Sequence, residues 1–202
     1  MNRAVEPKAS QQEPSKAEFI RSVALRLFVN EGYQSVSLRH IADQVGMQAG
    51  SLYNHIESKQ TLLFDFIQEL EYRLLHSVTK YPITRFDGRA ALSNYVGYYL
   101  RFSIANRDLH ILSRREICSL TPAQKNSVEN LRAQQVARLE EIIAIGQSQG
   151  VFFVENERVA ASATLAMLDG VIGGALGGDL KIDVLIRLIQ SLIYKSLSAA
   201  AS

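Results

Sequence analysis

The chain has 202 residues, 47 % of them apolar, with four prolines, one cysteine and a formal net charge of +2. That length and apolar content suffice for a sizeable core in one or two domains, and the scarcity of breakers favours helix throughout. The lone Cys118 excludes an internal disulfide and cannot form a metal cluster by itself, so no metal and no cofactor is expected; a position inside a helix suggests that it is buried.

Residues 1–14, MNRAVEPKASQQEP, are polar, carry two prolines and lack the apolar run of a secretory signal. They are expected to form a disordered leader, and the protein to be cytoplasmic. From Ser15 to Glu31 an amphipathic helix is expected, with Phe19, Ile20, Val23, Ala24, Leu27 and Phe28 on one stripe and Gly32 as its stop. Leu38, Ile41, Ala42 and Val45 then recur at helical spacing, and Gly46 stands where a left-handed turn ends a helix. A third helix is expected over 48–55. Leu52 and Ile56 can pack inward from it, which turns Gly50 and Asn54 outward, flanked by Ser51 and Tyr53. Such a face suits a DNA major groove: the absence of a side chain at Gly50 permits close approach, Asn54 can pair with an adenine edge, and the two hydroxyls can hold phosphate oxygens. The same helical hairpin also occurs in proteins that never touch DNA. Ser58 reads as an N-cap and Lys59 falls in the first turn of the next helix, where a cation opposes the dipole; its placement suggests a phosphate partner.

The order Ser37, Ile41-Ala42, Gly46, Leu52-Tyr53, Ser58-Lys59 within residues 19–63 resembles the DNA-binding domain of the TetR family of bacterial transcriptional regulators. The resemblance implies that Ser37 and Arg39 touch the DNA backbone, that Gln48, Ala49, Gly50, Ser51 and Asn54 face bases, and that Tyr53, His55 and Lys59 meet phosphates. Gln48 departs from the family's frequent serine cap, and Ala49 from a longer polar or basic residue. Base reading is therefore expected to lean on thymine methyls and on Asn54. Residues 1–63 hold seven Lys and Arg against six Asp and Glu, and the rest fifteen against fourteen. This argues against binding through many lysine contacts and for a shallow salt dependence.

Beyond residue 63 the periodicity predicts a second, all-helical domain over 64–202. One long helix covers 60–80, a rod leading out of the first domain. Pro82 and Phe86-Asp87-Gly88 mark a loop, and helices follow at about 89–105 and 108–119. Thr121 as N-cap and Pro122 at the first helical position open a long helix that ends near Gly150. VFFVEN reads as a link before helices at roughly 157–177 and 182–198. Residues 159–178 also invite a membrane reading, but Asp169 would sit mid-bilayer at a cost of about 2.5–3.5 kcal/mol, and there is no second span. The small residues Gly170 and Gly174, with Leu185, Leu188, Ile189 and Leu192, suit instead a two-fold four-helix interface, and the TetR family commonly dimerises through its last two helices. Tyr95, Tyr98, Tyr99, Phe102, Leu112, Cys118, Ile142 and Met167 can line an apolar effector cavity, although aromatic residues at helical spacing also make plain core; the resemblance, which extends loosely to regulators of lipid, aromatic or acyl-CoA catabolism, implies that Arg101 or Arg115 meets an anionic head group, while Arg115 can simply pair with Glu116.

The expected protein is thus all-α: an N-terminal three-helix helix-turn-helix domain (15–63) joined to a helical bundle for ligand binding and dimerisation. As a TetR-like regulator it would repress from a palindromic operator as a homodimer and be released by a small molecule, by resemblance a lipid, aromatic or acyl-CoA metabolite. Its partners are then double-stranded DNA, the effector and a second copy, without a membrane. A helical interaction protein and an uncharacterised helical enzyme are the alternatives, the latter against the lack of any ligand spacing among His40, His55, His76, His110 and Cys118.

Overall fold

The computed structural model describes residues 15–80, 82–83, 87–174 and 180–198. The expected leader 1–14 lies outside them, as do Phe86 and the last three residues of the expected helix 157–177. Among the described residues every regular element is helical. The chain divides into two compact units, Met1–Lys59 and Gln60–Ser202. The boundary drawn from the sequence, between residues 63 and 64, falls a little further along the same helix.

In the first unit, α1 (Lys16–Glu31) starts with a capping box: the Ser15 hydroxyl accepts from the Glu18 amide at 3.2 Å, and the Glu18 carboxylate accepts from the Ser15 amide at 2.7 Å. Ile20, Val23, Ala24, Leu27 and Phe28 are buried as the stripe requires, but Phe19 departs from it and is 46 % exposed. It lies at the edge of the stripe, where helix rotation carries it past the buried arc. Gly32 (φ +86°) and Gly46 (φ +68°) take the left-handed backbone the two stops require. Between them α2 (Leu38–Gln44) is capped by Ser37, whose hydroxyl accepts from the His40 amide at 3.0 Å. The third helix is shorter than its pattern suggested, α3 spanning only Ala49–Leu52. Gln48 supplies no side-chain cap, Gly50 is a poor helix former, and the chain tightens into i→i+3 bonds from the Asn54 and His55 amides to Ser51 and Leu52. Leu52 and Ile56 are nevertheless buried, as their spacing required.

The helix α4 (Lys59–Thr79) begins at the last residue of the first unit and runs on into the second. There follow α5 (Gly88–Ala105), α6 (Arg107–Arg115), a 3-10 turn at Ile117–Ser119, α7 (Pro122–Ser148), α8 (Glu157–Gly173) and α9 (Ile182–Ser198). The expected helix 108–119 ends early because Glu116 leaves helical geometry, and the chain must be extended at Thr121 before Pro122. Thr121 then caps α7 in a capping box with Gln124. Helix α5 is central, packing on α6, α7, α8 and α9. Its Tyr95, Val96, Tyr99 and Leu100 form one core with Leu139, Ile142 and Ile143 of α7, Leu168 and Ile172 of α8, and Ile189 and Ile193 of α9. The VFFVEN link adds Phe152 to this core, above Gly146, and the Phe153 amide donates to the Leu197 carbonyl at 2.7 Å. Among the described residues no helix is long and apolar enough to cross a membrane.

Candidate nucleic-acid interface and effector region

Burial of Leu52 and Ile56 fixes which way the segment after Gly46 faces. Gln48, Gly50, Ser51, Asn54 and His55 are exposed, Tyr53 is 60 % exposed, and Ala49 is half-buried. Small residues thus alternate on the surface with an amide, hydroxyls and an imidazole, a face able to approach a groove closely and to donate and accept hydrogen bonds. Arg39 is exposed one residue after the start of α2, while the Ser37 hydroxyl is engaged as the cap of that helix. Lys59 has a role the sequence did not show. Its ammonium donates to the Tyr33 carbonyl at 2.9 Å and stands 4.2 Å from the Tyr33 ring centroid, fastening the start of α4 to the turn after α1.

In the second unit the expected effector residues stand in several different settings. Tyr95, Tyr98 and Ile142 line a common cavity of about 30 Å³. The Tyr95 hydroxyl donates to the Gln135 carbonyl at 3.1 Å, and Tyr99 stacks on Tyr95 with ring centroids 6.2 Å apart. Leu112 is fully buried, and Phe102 is half-buried beneath the Arg73 guanidinium. Arg115 pairs with Glu116 at 3.0 Å, and Arg101 with Asp183 at 2.6 Å. Cys118 was expected to be buried and is exposed, because it sits in the 3-10 turn rather than on an inward helix face. Met167 is 37 % exposed on α8.

Two polar clusters, one of them buried and one partly buried, link the helices, and neither was anticipated. Asp169 Oδ1 accepts from the Tyr99 hydroxyl at 2.6 Å and the Arg114 guanidinium at 3.1 Å, with His110 Nε2 also at 3.1 Å. Glu71, 1 % exposed, accepts from Ser113 at 2.8 Å, Arg132 at 2.9 Å and Gln135 at 3.0 Å. Burial pushes both carboxyls up, yet the net direction is down: the charges of Arg114 and Arg132 outweigh it at Glu71, and the His110 hydrogen bond with the Arg114 charge outweighs it at Asp169. Burial and the Asp169 charge hold the Tyr99 hydroxyl neutral, far above the usual tyrosine range. A signal existed in the sequence: Glu71 interrupts the apolar stripe of Ile67, Leu74 and Val78, and Asp169 interrupts an apolar run. Among the described residues no group of three His, Cys, Asp or Glu side chains could hold a metal ion.

Family models match both parts of the chain. Residues 20–66 match the model described as bacterial regulatory proteins of the tetR family, and residues 86–173 match a tetracyclin repressor-like C-terminal domain. The chain belongs to the TetR family. This TetR-family chain is 23 % identical over 198 residues to the HTH-type transcriptional repressor KstR2 of Mycolicibacterium smegmatis, covering 94 % of itself and 82 % of that protein. Among solved structures it superposes on a tetR-family regulatory protein from Rhodococcus RHA1 with a TM-score of 0.83 at 22 % identity, covering 94 % of this chain and all of that one. It superposes on AibR, solved with isovaleryl coenzyme A and operator DNA, with a TM-score of 0.74 at 20 % identity, over 92 % of this chain and 99 % of that one. The TetR-family chain is thus a transcriptional regulator with a DNA-binding head and a helical C-terminal domain.

The candidate dimer residues of this regulator divide between surface and core. Leu188 and Leu192 are 51 % and 55 % exposed on α9, and Gly170 is exposed on α8. Leu185 and Ile189, each 6 % exposed, are taken up by the core, and Gly174 caps α8, its amide donating to the Gly170 carbonyl at 3.0 Å.

Proposed function

We propose that this TetR-family regulator is a repressor that binds a palindromic operator as a homodimer and leaves it when a small-molecule effector binds the helical domain. The observation that carries the reading is the outward face of Gly50, Ser51 and Asn54, fixed by burial of Leu52 and Ile56. Asn54 reads a base edge, Gly50 and Ala49 allow close approach to thymine methyls, and Tyr53, His55, Arg39 and Ser37 hold phosphates. Lys59, already bonded to Tyr33, positions the unit as well as adding charge near the backbone.

One such segment covers a half-site only, so two must be held about 34–36 Å apart to read an inverted repeat on one face of the duplex. The exposed Leu188 and Leu192, with the small residues of α8, supply the pairing surface. The KstR2 relative is itself named a repressor, and AibR is a likeness solved with both an acyl-CoA and operator DNA. The latter supports an acyl-CoA metabolite among the lipid, aromatic and acyl-CoA effectors that the family resemblance implies. The effector acts by binding the DNA-released form more tightly, since equal affinity shifts nothing. The path runs through α4, whose first residue is Lys59. The protein does its work in the cytoplasm and catalyses no reaction.

Selection of bound sequences from random duplex DNA, at two salt concentrations, tests the reading. Enrichment of an inverted repeat is expected. Folded protein that enriches no sequence at either salt would overturn it.

A further inference from the structure

Where α5 packs on α9 the two helices leave a groove of about 390 Å³, lined by Gly97 and Arg101 from the first and by Asp183 and Arg187 from the second. That volume is within the roughly 300–1,000 Å³ of small-molecule sites. Gly97 lies in the interior of α5, its φ is not positive, and a Cβ there would meet nothing closer than Gln190 Nε2 at 3.6 Å, an ordinary contact. Neither backbone nor packing therefore calls for glycine, which weakens a helix interior relative to alanine. What its bare backbone does supply is depth to the groove. Asp183 and Arg187 stand four residues apart on α9, the natural spacing for a pair within one helix, yet the Asp183 carboxylate closes instead on Arg101 of α5 at 2.6 Å. Arg187 is exposed and has no partner among the described residues. Arg101 gives Asp183 one of its five donors, in a pair whose two side chains are both more than half exposed. Both guanidiniums thus have N–H groups to offer in the same groove, and the exposed Asn94 adds an amide. At about 100° per residue, Asp183, Arg187 and Gln190 lie on the flank of α9 away from Leu188 and Leu192, so the groove is separate from the pairing surface proposed above.

We infer that this groove binds a phosphate ester, its phosphate held by Arg187 and Arg101 and its organic part laid over Gly97. A phosphate monoester carries about −1.5 to −2 charges and three acceptor oxygens. Two planar guanidiniums, each able to give parallel charge-assisted hydrogen bonds, match that charge and those oxygens, whereas one carboxylate satisfies a single fork. Asp183 keeps Arg101 in the groove without consuming its remaining donors, and as one half of an exposed pair it adds little to stability. The site is additional to the effector reading and does not depend on it.

Two sources can supply the phosphate ester, a free nucleotide or the nucleotide end of a coenzyme A thioester. Calorimetric titration of the full-length protein with adenosine monophosphate, acetyl coenzyme A and adenosine distinguishes them. Saturable binding of at least one phosphate ester is expected, about tenfold or more tighter than adenosine. Equal affinity for the two esters assigns the site to a free nucleotide, and tighter binding of acetyl coenzyme A assigns it to the thioester. Arg187→Gln and Arg101→Gln should each weaken the ester by about tenfold, the loss of a charge-assisted hydrogen bond. Both side chains are exposed, so these variants keep the fold. Gly97→Leu should abolish binding by filling the groove, and Asp183→Asn should tighten it by removing a like charge. No saturable binding of either ester, or adenosine binding as tightly as the esters, would overturn the inference. So would ester binding unchanged in both Arg187→Gln and Arg101→Gln, which would place it elsewhere on the protein, such as the DNA-binding head.

Discussion

Arg132 reaches from α7 to α4 and closes on Glu71 at 2.8 Å, an ion pair whose acidic partner is 1 % exposed. With Ser113 of α6 and Gln135 also donating to Glu71, one buried carboxylate ties three helices together. Removing one member of such a pair leaves the other charge buried and uncompensated. Glu71→Ala is therefore expected to destabilise the protein by about 3–5 kcal/mol. Urea unfolding followed by circular dichroism reads this; a loss below about 1 kcal/mol would mean that Arg132 is resolvated at once.

The same carboxylates set an acid limit. Glu71 and Asp169 are held below their ordinary values of 4.5 and 3.8, so the unfolded chain takes up protons first as pH falls. Their stabilisation is complete above the unfolded values and is lost as pH drops through the lower, folded ones. The urea midpoint should be level from about pH 7 to about pH 5 and fall below roughly pH 4.5, with a shallower fall in Glu71→Gln. An equally steep fall in that variant would place the acid response elsewhere.

Two glycines separate fold from DNA reading. A Cβ on Gly146 would stand 1.9 Å from Phe152 Cδ2, in the buried contact between α7 and the following link. Gly146→Ala should cost about 1–3 kcal/mol by overpacking. A Cβ on Gly50 meets nothing within 4 Å, so Gly50→Ala should be neutral or stabilising by up to about 1 kcal/mol while weakening operator binding. Thermal unfolding and fluorescence anisotropy on the selected operator check the pair.

Asn54→Ala should relax preference at one base pair of each half-site, losing about 1–3 kcal/mol of discrimination there, whereas Tyr53→Phe should weaken all sequences alike. Competition binding with single-base operator variants tells them apart.

Leu188→Glu combined with Leu192→Glu should convert a dimer to a folded monomer in sedimentation velocity, because both side chains are more than half exposed within one protomer. Leu185→Ala, by contrast, should lower stability by about 2–5 kcal/mol whatever the association state.

Periodicity, caps and breakers are local, and the sequence by itself therefore determined the helices, their order and which side chains after Gly46 turn outward. Thr121 with Pro122, and Gly32 and Gly46, act over one turn of chain, and the structure has them where the pattern put them. The spacing of Leu52 and Ile56 sufficed to turn Gly50 and Asn54 outward. What depends on partners distant in sequence was decided by tertiary structure alone. Glu71 meets groups from residues 113, 132 and 135, and Asp169 meets groups from 99, 110 and 114, so each reads as an anomaly in an apolar stripe until its donors are brought in. Lys59 finds Tyr33 at a separation of 26 residues. Leu185 and Leu188 share one apolar pattern, yet only packing on α5 assigns the first to the core and leaves the second outside. Local sequence carries short-range geometry, whereas the placement of buried charge is a property of how the helices pack.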